Sequence, residues 1–207
     1  MIDQPFRQLV ESLAARTPTP GGGAAAALAA SMGTALVLMV VRFSRGKKAN
    51  AAREDDLQRT EQFLADLVQR TLPMAERDCA SFDHVSAAYA LPKDTDQQKE
   101  IRTKAVEEAM GGAMVVPEEL LCLVRDVLNE TATIAGCIGK AIVSDLGSGV
   151  EMLFAAAQAA LLNVRINAQY LQDRARADAA SGRALSVFAE IERQRATLRG
   201  GVDGALA

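Results

Sequence analysis

Apolar residues recur along this chain three and four positions apart and nowhere alternate one by one, so the pattern predicts helices throughout and no strand. Phe6, Leu9, Val10 and Leu13 mark a short amphipathic helix from Asp3 to Ala15. A loop from Arg16 to Gly23 follows, and then an uncharged run from Ala24 to Val41 that is almost all Ala, Leu, Val and Met. Such a run reads as a helix buried on most sides, extending to about Ser44. Leu28, Met32, Leu36, Met39 and Phe43 form a stripe of large side chains along it. Ala24, Ala27, Ser31 and Ala35 form a stripe of small ones that lets a second helix approach closely. Arg45-Gly46-Lys47-Lys48 ends it, with cations at the carbonyl end and a glycine for the cap.

The next helical stretch begins near Asn50, with an apolar face of Leu57, Leu64, Leu67 and Val68, and Pro73 should kink or divide it. The pattern resumes through Met74, Phe82, Val85 and Tyr89 and closes at Leu91-Pro92-Lys93. Asp94, Thr95 or Asp96 then caps a helix running through Val106, Met110, Val115 and Leu120 to about Leu128, with Pro117 a second kink point. Thr131 to Val143 reads as another apolar helix. Ser144-Asp145 interrupts it, and either side chain suits the cap of a helix from Leu146 to about Asp173. The last helix covers about Ala184 to Leu198, and Arg199 to Ala207 is expected to fray. The expected fold is all-α, a bundle of long, partly kinked helices in a single domain over residues 1–207.

Composition narrows the setting. Hydrophobic residues make up 49% and aromatic residues 4%, so the helices pack through small and aliphatic side chains. A net charge of -3 gives no support to a nucleic-acid or anionic-membrane partner. The uncharged stretch from Thr17 to Val41 is long enough to span a bilayer, but its first half is Ala and Gly, which insert weakly, so it is read as a central helix without a membrane. Cys79, Cys122 and Cys137 are odd in number and lie in apolar helical contexts, as reduced thiols of a cytoplasmic protein do. Residues Met1 to Arg16 show no apolar signal-peptide core.

Two stretches carry candidate chemistry. Pro18-Thr19-Pro20-Gly21-Gly22-Gly23 opens the buried helix, and unpaired first-turn amides make a helix N-terminus receptive to anions. It lacks the Gly-Lys-Ser/Thr ending of a nucleotide loop and follows no strand. Asp78 shares a helix face with Met74, Phe82, Val85 and Tyr89. A carboxylate there is either paired or shifted upward in pKa, and an unpaired one is a candidate acid or base. Asp83 lies five residues on, too far round a straight helix to converge with it. Asn163, Asn167 and Tyr170 make a polar stripe that either bonds to neighbouring helices or lines a pocket. His84 is the single histidine and has no partners at metal-ligand spacing, so no metal site is expected.

Pro-Thr-Pro-Gly-Gly-Gly at 18–23, Gly46-Lys47-Lys48, Asp78 with Leu91-Pro92-Lys93, Val116-Pro117, Ser144-Asp145 and Asn163-Val164-Arg165-Ile166-Asn167 stand in the order and spacing of one family. The chain resembles the cyclodeaminase/cyclohydrolase family of folate enzymes over about Pro5 to Asp173. The resemblance implies a helical homodimer that binds a tetrahydrofolate derivative as substrate between helices, with no prosthetic group. It implies Asp78 as the catalytic carboxylate, and Pro20, Gly21, Gly22, Gly23, Asp145, Asn163 and Asn167 as substrate-binding residues. Lys47, Lys48 and Lys93 would meet the glutamate tail. The favoured activity is hydrolysis of 5,10-methenyltetrahydrofolate to 10-formyltetrahydrofolate. Cyclodeamination of formiminotetrahydrofolate, and a catalytically silent dimer that binds folate or a protein, are the alternatives. The chain departs from the family at Ile138-Gly139-Lys140-Ala141-Ile142-Val143, where a Gly-Asn pair is usual and a lysine stands instead.

Overall fold

Prolines, caps and glycines set the breaks in this chain. The computed structural model describes residues 1–207 as eight α-helices without a strand: α1 (Phe6–Ala14), α2 (Gly22–Ser44), α3 (Glu54–Thr71), α4 (Met74–Tyr89), α5 (Asp96–Gly112), α6 (Val115–Ile134), α7 (Val143–Tyr170) and α8 (Arg174–Leu206). Pro73 divides α3 from α4, as its fixed φ and missing N–H predict. Thr95 is the cap of α5: its hydroxyl accepts from the Gln98 N–H at 3.2 Å, and the Gln98 side chain accepts from the Thr95 N–H at 3.0 Å. Gly46 turns the chain out of α2 with φ +66.

Several boundaries differ from the sequence expectation. Pro117 is not a kink point: the break falls at Ala113-Met114, and Pro117 sits in the first turn of α6, where no N–H is required of it. Thr131 to Val143 is not one helix, because α6 stops at Ile134 and two 3₁₀ turns, Ala135–Cys137 and Lys140–Ile142, carry the chain to α7. Ser144 and Asp145 do not interrupt a helix but lie in the first turn of α7. Asp173 caps α8 by accepting from the Arg176 N–H at 3.0 Å, so that helix begins ten residues earlier than Ala184. Nor does the tail fray: Leu198 and Val202 are buried and α8 continues to Leu206.

The core forms around α2, which packs on α3, α4, α6 and most extensively on α7. Residue pairs along the seam show α2 and α7 to be antiparallel, with Gly22 opposite Asn163 and Gly33 opposite Gly149. The approach at mid-seam is close. A Cβ on Gly33 would stand 3.0 Å from the Gly149 carbonyl, and one on Gly149 would stand 3.2 Å from the Gly33 carbonyl. Ala24, Ala27 and Ser31 are buried as small-residue packing predicts, whereas Ala35 is exposed. Buried Ser31, Thr34 and Ser44 donate to the carbonyls of Ala27, Ala30 and Val40, so the apolar core holds no unsatisfied hydroxyl. By length and composition α2 and the stretch Lys140–Tyr170 would suit a bilayer; in this fold they pack against each other. The large side chains of α2 point the other way: Met32 and Phe43 are 47% and 59% exposed.

Candidate functional site

The pocket begins where α2 begins. The Thr19–Pro20 peptide is cis, Gly21 is extended, and the first turn of α2 brings Gly23 up against α4. Asp78 projects from α4 onto that turn. A Cβ built on Gly23 would lie 2.1 Å from Asp78 Oδ1, so only glycine allows the carboxylate to rest there. The Ala24 N–H in the first turn of α2 favours the ionised form, but burial acts in the opposite sense and prevails, so the Asp78 pKa is raised. No cation contributes: the carboxylate takes the unpaired alternative that its apolar helix face left open.

The surrounding cavity measures about 260 Å³. Phe82 and Val85 of α4, Met110 at the end of α5, and Ile166 and Tyr170 of α7 form its apolar walls. Asn163 and Asn167 supply the polar side. Asn163 Nδ2 donates to the Ala159 carbonyl at 2.8 Å, and Asn167 Nδ2 donates to the Ala113 carbonyl at 3.1 Å. Both amides are thereby fixed, and each keeps an oxygen free to accept from a ligand. The cavity thus joins a desolvated carboxylate, two oriented amides and the start of a helix in apolar walls, an arrangement suited to moving a proton on a bound ligand.

The structure brings Gly21, Gly22, Gly23, Asp78, Asn163 and Asn167 together, with Pro20 in the loop above them. It does not bring Lys47, Lys48, Lys93 or Asp145 there. Lys47 and Lys48 follow the far end of α2, 23 residues or roughly 34 Å from the glycines. Asp145 begins α7 at that same far end, and Lys93 is exposed after α4. Asp83 points away into solvent. His84 lines a separate cleft between α4 and α5 that shares only Ser81 with the pocket. No three His, Cys, Asp or Glu side chains converge as a metal would require. Met110 and Ala113 also line the pocket, which the helical periodicity does not indicate. The only signal for them is the break after Gly111-Gly112, which turns α5 away just above Asn167.

Residues 5–185 match the family described as formiminotransferase-cyclodeaminase. The methenyltetrahydrofolate cyclohydrolase of Methylorubrum extorquens is 36% identical over 176 residues, covering 85% of each chain. The formimidoyltransferase-cyclodeaminase of Gallus gallus is 31% identical over 173 residues, which are 84% of this chain and 32% of that longer protein. The crystal structure of formiminotetrahydrofolate cyclodeaminase from Thermotoga maritima superposes with a TM-score of 0.88 at 23% identity, covering 99% of this chain and 98% of that one. The fold is therefore shared along its whole length, and the chain belongs to the formiminotransferase-cyclodeaminase family.

Proposed function

We propose that this chain is a methenyltetrahydrofolate cyclohydrolase, acting in the cytoplasm as a homodimer and converting 5,10-methenyltetrahydrofolate and water to 10-formyltetrahydrofolate and a proton. The observation that carries the reading is the unpaired Asp78 carboxylate in an apolar pocket at the start of α2. The similarity to the Methylorubrum extorquens enzyme over 85% of both chains supports it.

The substrate's methenyl carbon is part of an amidinium cation. Asp78 stabilises that cation by charge and removes a proton from the attacking water. The hydroxyl adds to carbon, and Asp78 returns the proton to N5 as the C–N5 bond breaks. Loss of the hydroxyl proton leaves the formyl group on N10. Asn163 and Asn167, held by α7, accept hydrogen bonds from the pterin edge, and the α2 amides bind its carbonyl oxygen. At about 260 Å³ the pocket holds the reacting ring system and leaves the glutamyl tail outside. The homodimer is supported by the outward apolar stripe of α2, and the cytoplasmic setting by three free cysteines.

Purified protein is expected to accelerate the loss of the near-ultraviolet absorbance of 5,10-methenyltetrahydrofolate. A second reading, cyclodeamination, is favoured by the family match and by the Gallus gallus relative. Appearance of that absorbance from 5-formiminotetrahydrofolate, without the hydrolytic decay, selects it. Silence with both substrates rejects the enzymatic reading.

A further inference from the structure

Among the helices that wall the Asp78 pocket, α5 is the least buried. Of its 17 residues only Met110 and Gly111 are buried, so little apolar surface holds the helix down. Yet Met110 and, just past the helix, Ala113 face the pocket. The Asn167 amide is fixed by donating to the Ala113 carbonyl at 3.1 Å. The orientation of that amide therefore depends on where α5 comes to rest.

Side chains hold α5 where packing does not. Near its start, Arg102 donates to the Tyr89 carbonyl at 3.2 Å and lies 5.2 Å from the centre of the Tyr89 ring, which ties α5 to α4. Near its end the tie is Glu107. One carboxylate oxygen accepts from the Gln172 N–H at 2.8 Å, and the other accepts from the Asp173 N–H at 3.0 Å. These two amides lie between α7 and α8 and belong to neither helix. The carboxylate thus satisfies donors that the helices leave open, and it sits at the positive end of α8. One turn further along α5, the Arg176 guanidinium of α8 lies over Gly111, where a Cβ would collide with it. The exchange is reciprocal: α5 supplies an anion to the start of α8, and α8 supplies a cation to the end of α5. Both contacts bear on the segment that carries Met110 and Ala113.

We infer that Glu107 is a positioning residue of the pocket. By bridging α5 to the α7–α8 turn it keeps the Ala113 carbonyl against Asn167, and so holds the Asn167 amide oxygen toward the bound ring. Glu107 itself touches no reacting atom. Its expression in KM rests on the cyclohydrolase reading above. Asn163 is the internal contrast, because its amide is held at 2.8 Å by the Ala159 carbonyl of its own helix and owes nothing to α5. Asp78 stands on α4 against the first turn of α2, likewise apart from Glu107. Loss of Glu107 should therefore loosen one of two neighbouring amides and spare the other.

Glu107→Ala should raise KM for 5,10-methenyltetrahydrofolate roughly five-fold, as loss of about one hydrogen bond would, while kcat stays within about two-fold. Glu107→Gln retains one acceptor oxygen and should recover part of that loss. In double-variant kinetics Glu107→Ala should add nothing to Asn167→Ala but should multiply with Asn163→Ala. Multiplication with both amide variants overturns the inference, and so does an unchanged KM. Nuclear magnetic resonance supplies a readout that needs no turnover. The Asn167 side-chain NH2 signals, assigned by their absence from Asn167→Ala, should move toward the free-amide position in Glu107→Ala and return part of the way in Glu107→Gln. Those of Asn163 should stay in place. If wild type turns over neither folate, the functional reading fails and the amide signals alone decide. Asn167 signals that do not move, or that move only together with those of Asn163, overturn the inference. Should Glu107→Ala fail to fold, Glu107→Gln carries both measurements with the same expected directions.

Discussion

Two clefts on this molecule differ more in chemistry than in size. The larger, about 910 Å³ between the α3–α4 corner, α6 and α8, is lined by four arginines and four carboxylates. Its charges are matched: Arg77 with Glu119 at 2.8 Å, Arg125 with Asp126 at 2.8 Å, Arg183 with Glu118 at 2.9 Å, and Arg70 with Asp66 at 3.7 Å. The smaller, about 260 Å³, holds one carboxylate and nothing of opposite sign. Salt bridges that are half exposed satisfy each other and leave little field for a ligand. An unmatched, desolvated carboxylate retains its field and its basicity. The proposed reactivity therefore follows the group left without a partner, not the volume around it.

Substitutions should separate the two clefts in a graded order. Asp78→Asn removes the proposed proton carrier, and kcat should fall by roughly 10²–10⁴-fold while the circular-dichroism spectrum is unchanged. The same change should raise Tm at neutral pH. Burial raises the folded-state pKa of Asp78, so its contribution to stability is present while it is protonated and is lost as pH rises through that raised value. The Tm gain should accordingly shrink as the solution is made acidic, and the acid limb of wild-type kcat/KM should lie above the ordinary aspartate range. A stability difference independent of pH would show that burial does not set this group's titration.

Gly23→Ala comes next. Its Cβ cannot coexist with Asp78 Oδ1, so the carboxylate must swing out, and kcat/KM should drop about 10²-fold in steady-state assays with the fold intact. Asn167→Ala should have a smaller effect. It loses the bond to the Ala113 carbonyl at 3.1 Å, with a stability loss of about 1 kcal/mol by denaturant titration and a raised KM. Arg183→Ala in the larger cleft should change least: no measurable loss of turnover, and stability within about 1 kcal/mol. Turnover that fell as far with Arg183→Ala as with Gly23→Ala would place the chemistry in the wrong cleft.

Much of the smaller cleft was legible in the sequence because each of its parts breaks a local rule. Three glycines open an apolar helix, a carboxylate occupies an apolar helix face, and two amides share a stripe with a tyrosine. Such violations need no knowledge of neighbours. The separation of Lys47 and Lys48 from Asp78 was not legible, because order along a chain does not say which ends meet when α2 lies straight. The start of α8 was hidden because Ala177, Ala180 and Ala184 bury so little apolar surface that they hardly register as a periodic face. The false helix from Thr131 to Val143 arose from the opposite fault: apolar residues on either side of Gly136 and Gly139 imitate continuity across two tight turns.

The glycine contact halfway along the α2–α7 seam acts as a spacer gauge for the pocket at its end. Gly22 and Asn163 lie on the same two rods that touch at Gly33 and Gly149, so the gap between them is fixed at a point well away from any ligand. An engineer who wished to admit a bulkier ring would trim lining residues to little effect while that gauge stayed closed. Alanine at position 33 or 149 would instead wedge the rods apart and widen the whole mouth. The dimension that decides what fits is written where no substrate reaches, and a search for specificity confined to the pocket wall would overlook it.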